Sequence, residues 1–248
     1  MILTKDKIYF ASDFHLGTPN RVESHKREKQ IVKWLTEIEK DAKAIYLVGD
    51  IFDFWFEYNK VVPKGFVRLL GKIANITDNG TPVHLFVGNH DLWMRDYLET
   101  EIGVSIHHEN IIIQQENKKI LIGHGDGLGD GDYLYKILRK IFTSKICQWI
   151  FARFHPNFAF TLAHTWSKSS RKSGDEAKFR SKEKEILFGY CQEQQKINPV
   201  DYYVFGHRHL PLELKIDKKA TYINLGEWIS QKTYGVLEKG ILKLETYK

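Results

Sequence analysis

Five short apolar runs along the chain each end just before an acidic, amide or imidazole side chain. The runs are residues 8–11, 45–48, 83–87, 120–122 and 202–205, and the polar residues after them are Asp13, Asp50, Asn89, His124 and His207. Short apolar runs bounded by glycine predict buried strands, and ligands at their carboxyl ends converge on one edge of a sheet. The sequence therefore predicts an α/β fold with a polar site at a sheet edge.

The segments between and after these runs predict helices and a second sheet. Residues 23–40 and 65–79 carry apolar side chains at helical spacing among charged ones, which predicts helices that cover a sheet face, and a later long helix should end near Ile197. Beyond Val104 the pattern becomes strand-rich, with a hairpin around Glu116-Asn117. From Leu212 onward, three or four strands are expected to complete a second sheet.

The polar residues have the chemistry of a two-metal hydrolytic centre. Two divalent ions about 3.5–4 Å apart need a bridging carboxylate, oxygen and imidazole ligands, and open positions for water and a phosphoryl oxygen. Asp50 is the candidate bridge, and the mixed donors suit Mn²⁺, Fe or Zn²⁺. One such fragment alone is more often a turn or a core histidine, but the ordered series favours a site. The seven candidate ligands are Asp13, His15, Asp50, Asn89, His124, His207 and His209.

Residues 133–185 interrupt the alternation of strands and helices. We assign residues 1–132 and 186–248 to a core domain and 133–185 to a helical cap insertion. The insertion holds 12 Lys and Arg against four acids, while the rest of the chain holds 25 against 27, so the net charge of +6 resides in the insertion. It is also rich in Ile, Leu, Phe and Trp at helical spacing.

Two interpretations of this insertion remain open. Its helices can pack an apolar face on the core and leave a basic face in solvent. Alternatively, they recruit a substrate with anionic and apolar parts, or an anionic membrane surface. Nucleic acid would also accept the charge, with the aromatic rings as stacking platforms, but the aliphatic content favours lipid.

Three further features predict a cytoplasmic protein that is soluble or peripheral on a membrane. The two cysteines, Cys147 and Cys191, have no CxxC spacing, which favours a reducing compartment. The first residues lack the regions of a signal peptide. No apolar stretch approaches the roughly 20 residues that span a bilayer.

The ordered motifs resemble the calcineurin-like metallophosphoesterase superfamily from Asp13 to His209, nearly the whole chain. This resemblance implies a four-layer αββα sandwich with two metal ions. It also implies how the ligands are shared: Asp13, His15, Asp50 and His209 for one ion, and Asp50, Asn89, His124 and His207 for the other.

Four longer motifs resemble a narrower family, the UDP-2,3-diacylglucosamine pyrophosphohydrolases of lipid A biosynthesis. They are residues 12–17, 49–55, 123–126 and 206–211, with the basic helical insertion after the third. The resemblance implies hydrolysis of a diacylated UDP-sugar at its pyrophosphate, giving UMP and 2,3-diacylglucosamine 1-phosphate (lipid X). It further implies Mn²⁺ as the metal and a position on the cytoplasmic face of the inner membrane. One residue departs: members carry Arg where this chain has His90.

Neighbouring residues have predicted supporting roles. His90, next to a ligand, is expected to stabilise developing charge or protonate the leaving oxygen, with Asp91 orienting its imidazole. Asp53 and Asp126 are expected to hold ligand imidazoles or loop amides.

Three residues are candidates for substrate contacts. Trp55 is placed to pack against an acyl chain or sugar, although an aromatic residue after a strand is more often core. Lys168 and Arg171 are candidates for the distal phosphate, with a solvated loop as the alternative.

Three classes of function compete at this point. The first is the lipid-nucleotide pyrophosphohydrolase. The second is a phosphodiesterase or nuclease on the same metal centre, which the basic insertion permits. The third is a non-catalytic scaffold, which the complete ligand set disfavours.

Overall fold

Two mixed sheets form the centre of the molecule. The computed structural model describes residues 5–130, 133–162, 165, 179 and 181–248. In spatial order, the first sheet contains β11 (Ile241–Thr246), β10 (Thr233–Glu238), β1 (Lys7–Ala11), β2 (Ala42–Val48), β3 (Val83–Phe86) and β4 (Ser105–His107). The second contains β5 (Ile111–Gln115), β6 (Lys118–Ile122), β7 (Tyr202–Phe205), β9 (Thr221–Leu225) and β8 (Pro211–Lys215).

Helices pack around the two sheets, and those nearest the N- and C-terminal ends of the chain cover their outer faces. The helices are α1 (Arg21–Ile38), α2 (Val67–Asp78), α3 (Tyr97–Ile102), α4 (Tyr133–Thr143), α5 (Lys145–Phe151) and α6 (Ile186–Ile197). A 3-10 turn spans Lys182–Lys184, and residues 156–162 are helical. Among the residues described, no helix is both long and apolar enough to cross a bilayer.

Alternate side chains of β1 show how the layers are built. Ile8 and Phe10 face the second sheet, where they join an apolar cluster with residues of β6, β7 and β9. Tyr9 points the other way and meets Trp34 of α1 edge to face, with ring centroids 6.5 Å apart. On the far side, Leu187 and Phe188 of α6 pack against the second sheet. The predicted four-layer αββα sandwich is confirmed.

The predicted hairpin is present. β5 and β6 pair antiparallel, with Ile111 opposite Ile122 and Gln115 opposite Lys118. The two turn residues, Glu116 and Asn117, have φ angles of 50° and 63°. Positive φ at both central residues matches a type I′ turn, whose twist fits that of the flanking strands.

The C-terminal strands differ from the sequence prediction. Only β8 and β9 join the second sheet, whereas β10 and β11 extend the first, with Leu237 opposite Ile8 and Gly235 opposite Phe10. The expectation that the whole meander completes the second sheet was therefore wrong. The physical reason is that β1 is buried and needs a hydrogen-bonding partner on each side, and β2 supplies only one.

The described part of the insertion packs on the core through aromatic rings. Trp93 donates a hydrogen bond from Nε1 to the carbonyl of Phe142 at 2.7 Å. The ring of Phe151 lies 4.6 Å from that of Trp93 and 4.9 Å from that of Phe56. These contacts place α4 and α5 beside the loops that follow β2 and β3.

Candidate metal centre

The carboxyl ends of five strands supply the candidate ligands. Asp13 and His15 follow β1, Asp50 follows β2, Asn89 follows β3, His124 follows β6, and His207 and His209 follow β7. Within each sheet, these ligand-bearing strands run parallel to one another, so their ends meet in one cleft between the sheets. The structure brings all seven predicted residues together.

Five of the seven ligand positions have a left-handed backbone. The φ angles are 56° at Asp13, 44° at His15, 53° at Asp50, 67° at His207 and 52° at His209. This region is uncommon for residues other than glycine, although Asp and His adopt it more often than most, and it costs of order 1–3 kcal/mol per residue. In the pairs Asp13/His15 and His207/His209, this backbone lets both side chains reach the same cleft.

Four side chains form the first group of donors. Asp13, His15, Asp50 and His209 have ligand atoms within 4.8 Å of one another. Nε2 of His15 lies 3.0 Å from Nε2 of His209, and Nε2 of His209 lies 3.1 Å from Oδ1 of Asp13. This group has the composition that the family resemblance implies for one ion.

The second group shares Asp50 with the first. Oδ2 of Asp50 lies 3.7 Å from Nε2 of His15 and 3.4 Å from Nε2 of His124. The side-chain oxygen of Asn89 lies 3.2 Å from Nε2 of His124 and 2.9 Å from Nδ1 of His207. One carboxylate oxygen therefore lies between the two sets of donors.

The donor geometry fits cations. Adjacent ligands of an octahedral ion with bonds of about 2.1 Å are about 3 Å apart, which is the spacing of these donors. Oδ1 of Asp13 is buried and lies 3.1 Å from Nε2 of His209 and 3.6 Å from Nε2 of His15. Nδ1 of His124 lies 2.9 Å from the carbonyl of Val48 and can donate to it, which directs Nε2 into the cleft.

The pKa values of the two buried carboxyl groups, Asp13 and Asp50, favour the binding of cations. Burial alone would raise the pKa of Asp13, but hydrogen bonds with His15 and His209 hold that pKa well below its usual value. Burial acts on Asp50 in the same direction, but the charges of His124, His90 and His15, with a hydrogen bond from His124, together lower its pKa. Two ionised carboxylates are thus enclosed in the cleft, and bound divalent cations would balance their charge.

The imidazoles fall into two classes. Burial lowers the pKa of His15 and brings that of His207 to about 4, so both are neutral at pH 7, as metal ligands must be. Burial would also lower the pKa of His124, but Asp50 raises it well above its usual value. A hydrogen bond to a carboxylate likewise raises the pKa of His209 against burial.

Two glycines are required by close approach to the site. A Cβ atom at Gly88 would collide with the carboxylate of Asp50. A Cβ atom at Gly206 would collide with the side chains of Ser12 and Asp13. The glycines of the sequence motifs therefore make room for ligand carboxylates.

His90 lies at the open side of the cleft, and its predicted partner is different in the structure. Its backbone N–H donates to Oδ1 of Asp50 at 2.9 Å, and Nδ1 lies 3.2 Å from the carbonyl oxygen of Asp53. The carboxylate of Asp91 instead accepts hydrogen bonds from the backbone N–H groups of Ile51, Phe52 and Gly88. Asp91 thus joins the loops after β2 and β3, and Asp53 takes the place beside His90 that we predicted for Asp91.

Asp53 and Asp126 differ in their surroundings. Oδ1 of Asp53 lies 3.9 Å from Nδ1 of His15 and 3.8 Å from Nδ1 of His90, close to a ligand imidazole as predicted. Oδ2 of Asp126 accepts a hydrogen bond of 2.6 Å from the hydroxyl of Tyr135 and lies 2.8 Å from Nε of Arg139. Asp126 thus connects the loop after β6 to α4, instead of holding an imidazole.

Sequence reasoning missed one residue that shapes the site. The buried guanidinium of Arg27, on α1, donates from Nε to the carbonyl of Phe14 at 2.7 Å and from Nη2 to those of His15 and Thr18, both at 2.6 Å. It therefore holds the loop that carries the first two ligands. A charged residue in a charged helix gave no signal of this role.

A mostly apolar cavity of about 370 Å³ opens beside the candidate metal centre. Asn89 and His90 form its end at the cleft, and Leu138, Phe142 and Phe151 of the insertion form another wall. Trp55 lines it too, although that ring is buried in the core and stacks on Phe52 at 4.3 Å. Lys168 and Arg171, the other predicted substrate contacts, lie outside the described residues.

Comparison with known proteins agrees with this geometry. The UDP-2,3-diacylglucosamine hydrolase of Porphyromonas gingivalis is 36% identical over 256 residues, covering 98% of this chain and 98% of the relative. Enzymes of the same name from Vibrio parahaemolyticus and Pseudomonas aeruginosa are 28% and 26% identical, each covering 90% of this chain and 90% and 92% of their own. Residues 6–211 match the family described as calcineurin-like phosphoesterase, and the chain belongs to that family.

Proposed function

We propose that this protein hydrolyses the pyrophosphate bond of UDP-2,3-diacylglucosamine to UMP and 2,3-diacylglucosamine 1-phosphate. Membership of the phosphoesterase family makes it a metal-dependent hydrolase, and the relatives carry the name of this activity. The observation that carries the proposal is the apolar cavity that begins at Asn89 and His90. A nuclease or cyclic-nucleotide phosphodiesterase has no need of an apolar chamber beside its reacting phosphorus, whereas a diacylated sugar does.

The metal ligands in this proposal are the seven residues predicted from the sequence. Asp13, His15 and His209 would hold one ion, Asn89, His124 and His207 would hold the other, and Asp50 would serve both. Four imidazoles and one amide beside two carboxylates, one of them shared, suit Mn²⁺, which we propose as the metal, with Fe and Zn²⁺ as the alternatives. When bound, such ions activate water and polarise phosphoryl oxygens at neutral pH.

The proposed role of His90 is to hold a proton for the leaving oxygen. Donation from Nδ1 to the carbonyl of Asp53, 3.2 Å away, fixes the ring and leaves Nε2 for the substrate. Oδ1 of the Asp53 side chain lies 3.8 Å from the same Nδ1. In the proposed reaction, water attacks the phosphorus on the uridine side, and a proton at Nε2 passes to the oxygen of the departing sugar phosphate.

We propose that the insertion, residues 133–185, is a cap that also contacts an anionic membrane surface at the cytoplasmic face of the inner membrane. Its described helices present large apolar side chains to solvent: Ile146 is 74% exposed and Trp149 59%. The guanidinium of Arg153 lies 4.6 Å from the Trp149 ring centroid, so basic and aromatic groups stand together. Lys168 and Arg171 remain candidates for the distal phosphate.

The membrane proposal is tested with vesicles. We expect binding to vesicles that contain anionic lipid and a steep loss of binding as salt rises, because surface charges are screened within roughly 10 Å at 0.1 M ionic strength. Binding that is absent at low salt would exclude the membrane role and leave the apolar cavity as the site of lipid recognition.

The central experiment is an assay of purified protein with Mn²⁺. We expect UMP release from a diacylated UDP-glucosamine and none from the matched Asp50→Asn variant, with the variant folded by circular dichroism. Cleavage of oligonucleotides or cyclic nucleotides without UMP release would indicate the phosphodiesterase class instead. Unchanged UMP release by Asp50→Asn would contradict the assignment of the metal centre.

A further inference from the structure

A second cavity, of about 290 Å³, adjoins the candidate metal centre and shares no lining residue with the apolar one. It reaches the centre at His124, whereas the apolar cavity reaches it at Asn89. Oδ1 of Asn89 and Nε2 of His124 are 3.2 Å apart, so the two cavities open toward neighbouring donors of the same proposed ion.

A hydrogen-bonded bridge stands between the two cavities. Tyr135 lines the apolar cavity, whereas Asp126 and Arg139 line the second one. The carboxylate of Asp126 accepts from the Tyr135 hydroxyl at 2.6 Å and lies 2.8 Å from Nε of Arg139. The cap helix α4 therefore contributes an apolar wall on one side and a guanidinium on the other.

The lining of the second cavity is polar and offers both donors and acceptors. Exposed His108 and Glu109 stand on the loop after β4, and the half-buried Arg139 lies on α4. The salt bridge to Asp126 engages Nε of Arg139, and a guanidinium carries two further NH₂ groups. The ring of His107 lies against Phe86 with centroids 4.8 Å apart, which adds a flat aromatic surface.

We infer that this second cavity binds the nucleoside half of the pyrophosphate substrate, an inference that rests on the proposed function. A pyrophosphate with two unlike ends needs two chambers that diverge from the reacting phosphorus. The acyl chains fit only the apolar cavity. A nucleoside presents ribose hydroxyls, base carbonyls and a base N–H, which pair with a carboxylate, an imidazole and a guanidinium, and its flat base suits the ring of His107.

The test measures selectivity for the nucleoside. With bis(p-nitrophenyl) phosphate as reporter substrate, inhibition constants for UMP and for inorganic phosphate are measured in wild type, His108→Ala and Glu109→Ala. The ratio of the phosphate constant to the UMP constant isolates the nucleoside contribution, because a change in local charge affects both anions. Glu101→Ala, which removes an exposed acid on α3, is the matched control.

We expect the ratio to fall about 3- to 10-fold in each cavity variant, the loss of one net hydrogen bond, and to stay constant in the control. An unchanged ratio in both variants would overturn the inference. If UMP and phosphate binding weaken equally, the ratio is unchanged and the cavity is a site for phosphate alone. The proposed function is measured separately by UMP release from the diacylated UDP-sugar by wild type. UMP release with an unchanged ratio would support the proposed function and contradict the nucleoside site. A lower ratio without UMP release would support the nucleoside site and contradict the proposed function.

Discussion

Replacement of Arg27 by Met should weaken both the fold and metal binding. The guanidinium is buried and donates hydrogen bonds of 2.6–2.7 Å to the carbonyls of Phe14, His15 and Thr18. Methionine keeps most of the apolar stem and removes every donor. Hydrogen bonds from a charged group contribute about 1.5–3 kcal/mol each, but the three share one guanidinium and are not additive, so we expect a total loss of about 3–5 kcal/mol.

Two measurements check this expectation. Urea unfolding gives the loss in free energy of unfolding, and calorimetric titration with Mn²⁺ gives the loss in affinity, since the loop that Arg27 holds also carries His15. Arg21→Met, an exposed arginine on the same helix, is the control and should change neither quantity. A loss below 1 kcal/mol in Arg27→Met, with unchanged Mn²⁺ affinity, would refute the reasoning.

Three other changes test separate parts of the structure. Gly88→Ala should abolish Mn²⁺ binding in calorimetric titration, because the new methyl group collides with Asp50, whereas Gly71→Ala, in open space on a helix, should bind normally and gain about 0.5–1 kcal/mol in urea unfolding. Leu138→Trp, which fills the apolar cavity, should raise KM for the diacylated substrate and not for bis(p-nitrophenyl) phosphate; equal effects on both would contradict the acyl assignment. For Asp201, burial would raise the carboxyl pKa, but hydrogen bonds from β6 lower it, so its stabilisation is present above the unfolded pKa of about 3.9 and is lost as pH falls through the folded pKa. Asp201→Asn should therefore lower the unfolding free energy at pH 7 by about 1 kcal/mol and by less at pH 3, and an equal loss at both would contradict this.

The sequence predicted those features that depend on local pattern. The five apolar runs gave the strands, and the residues after them gave the candidate ligands that the structure brings together, because parallel strands end at the same edge of a sheet. The Glu116-Asn117 hairpin was also predictable, since two strand patterns separated by two turn residues leave few other arrangements.

The sequence pattern did not predict the features that depend on tertiary packing. The pairing of β10 with β1 joins residues more than 200 positions apart, and both sheets could accept it on periodicity alone. Arg27 looks like a surface charge in sequence and Asp91 was predicted to orient His90, yet both are buried and hold backbone groups of the candidate ligand loops. The two cavities depend on where α4 lies, which no short motif encodes.

The left-handed backbone lowers the free energy of unfolding at five positions whose side chains the function requires. They are Asp13, His15, Asp50, His207 and His209. Glycine at any of them would relax the main chain, yet it would also delete a donor atom, so a more heat-resistant protein and an active one are competing outcomes at these sites. Stabilising substitutions for this chain should accordingly be sought in the outer helices and not in the loops around the cleft.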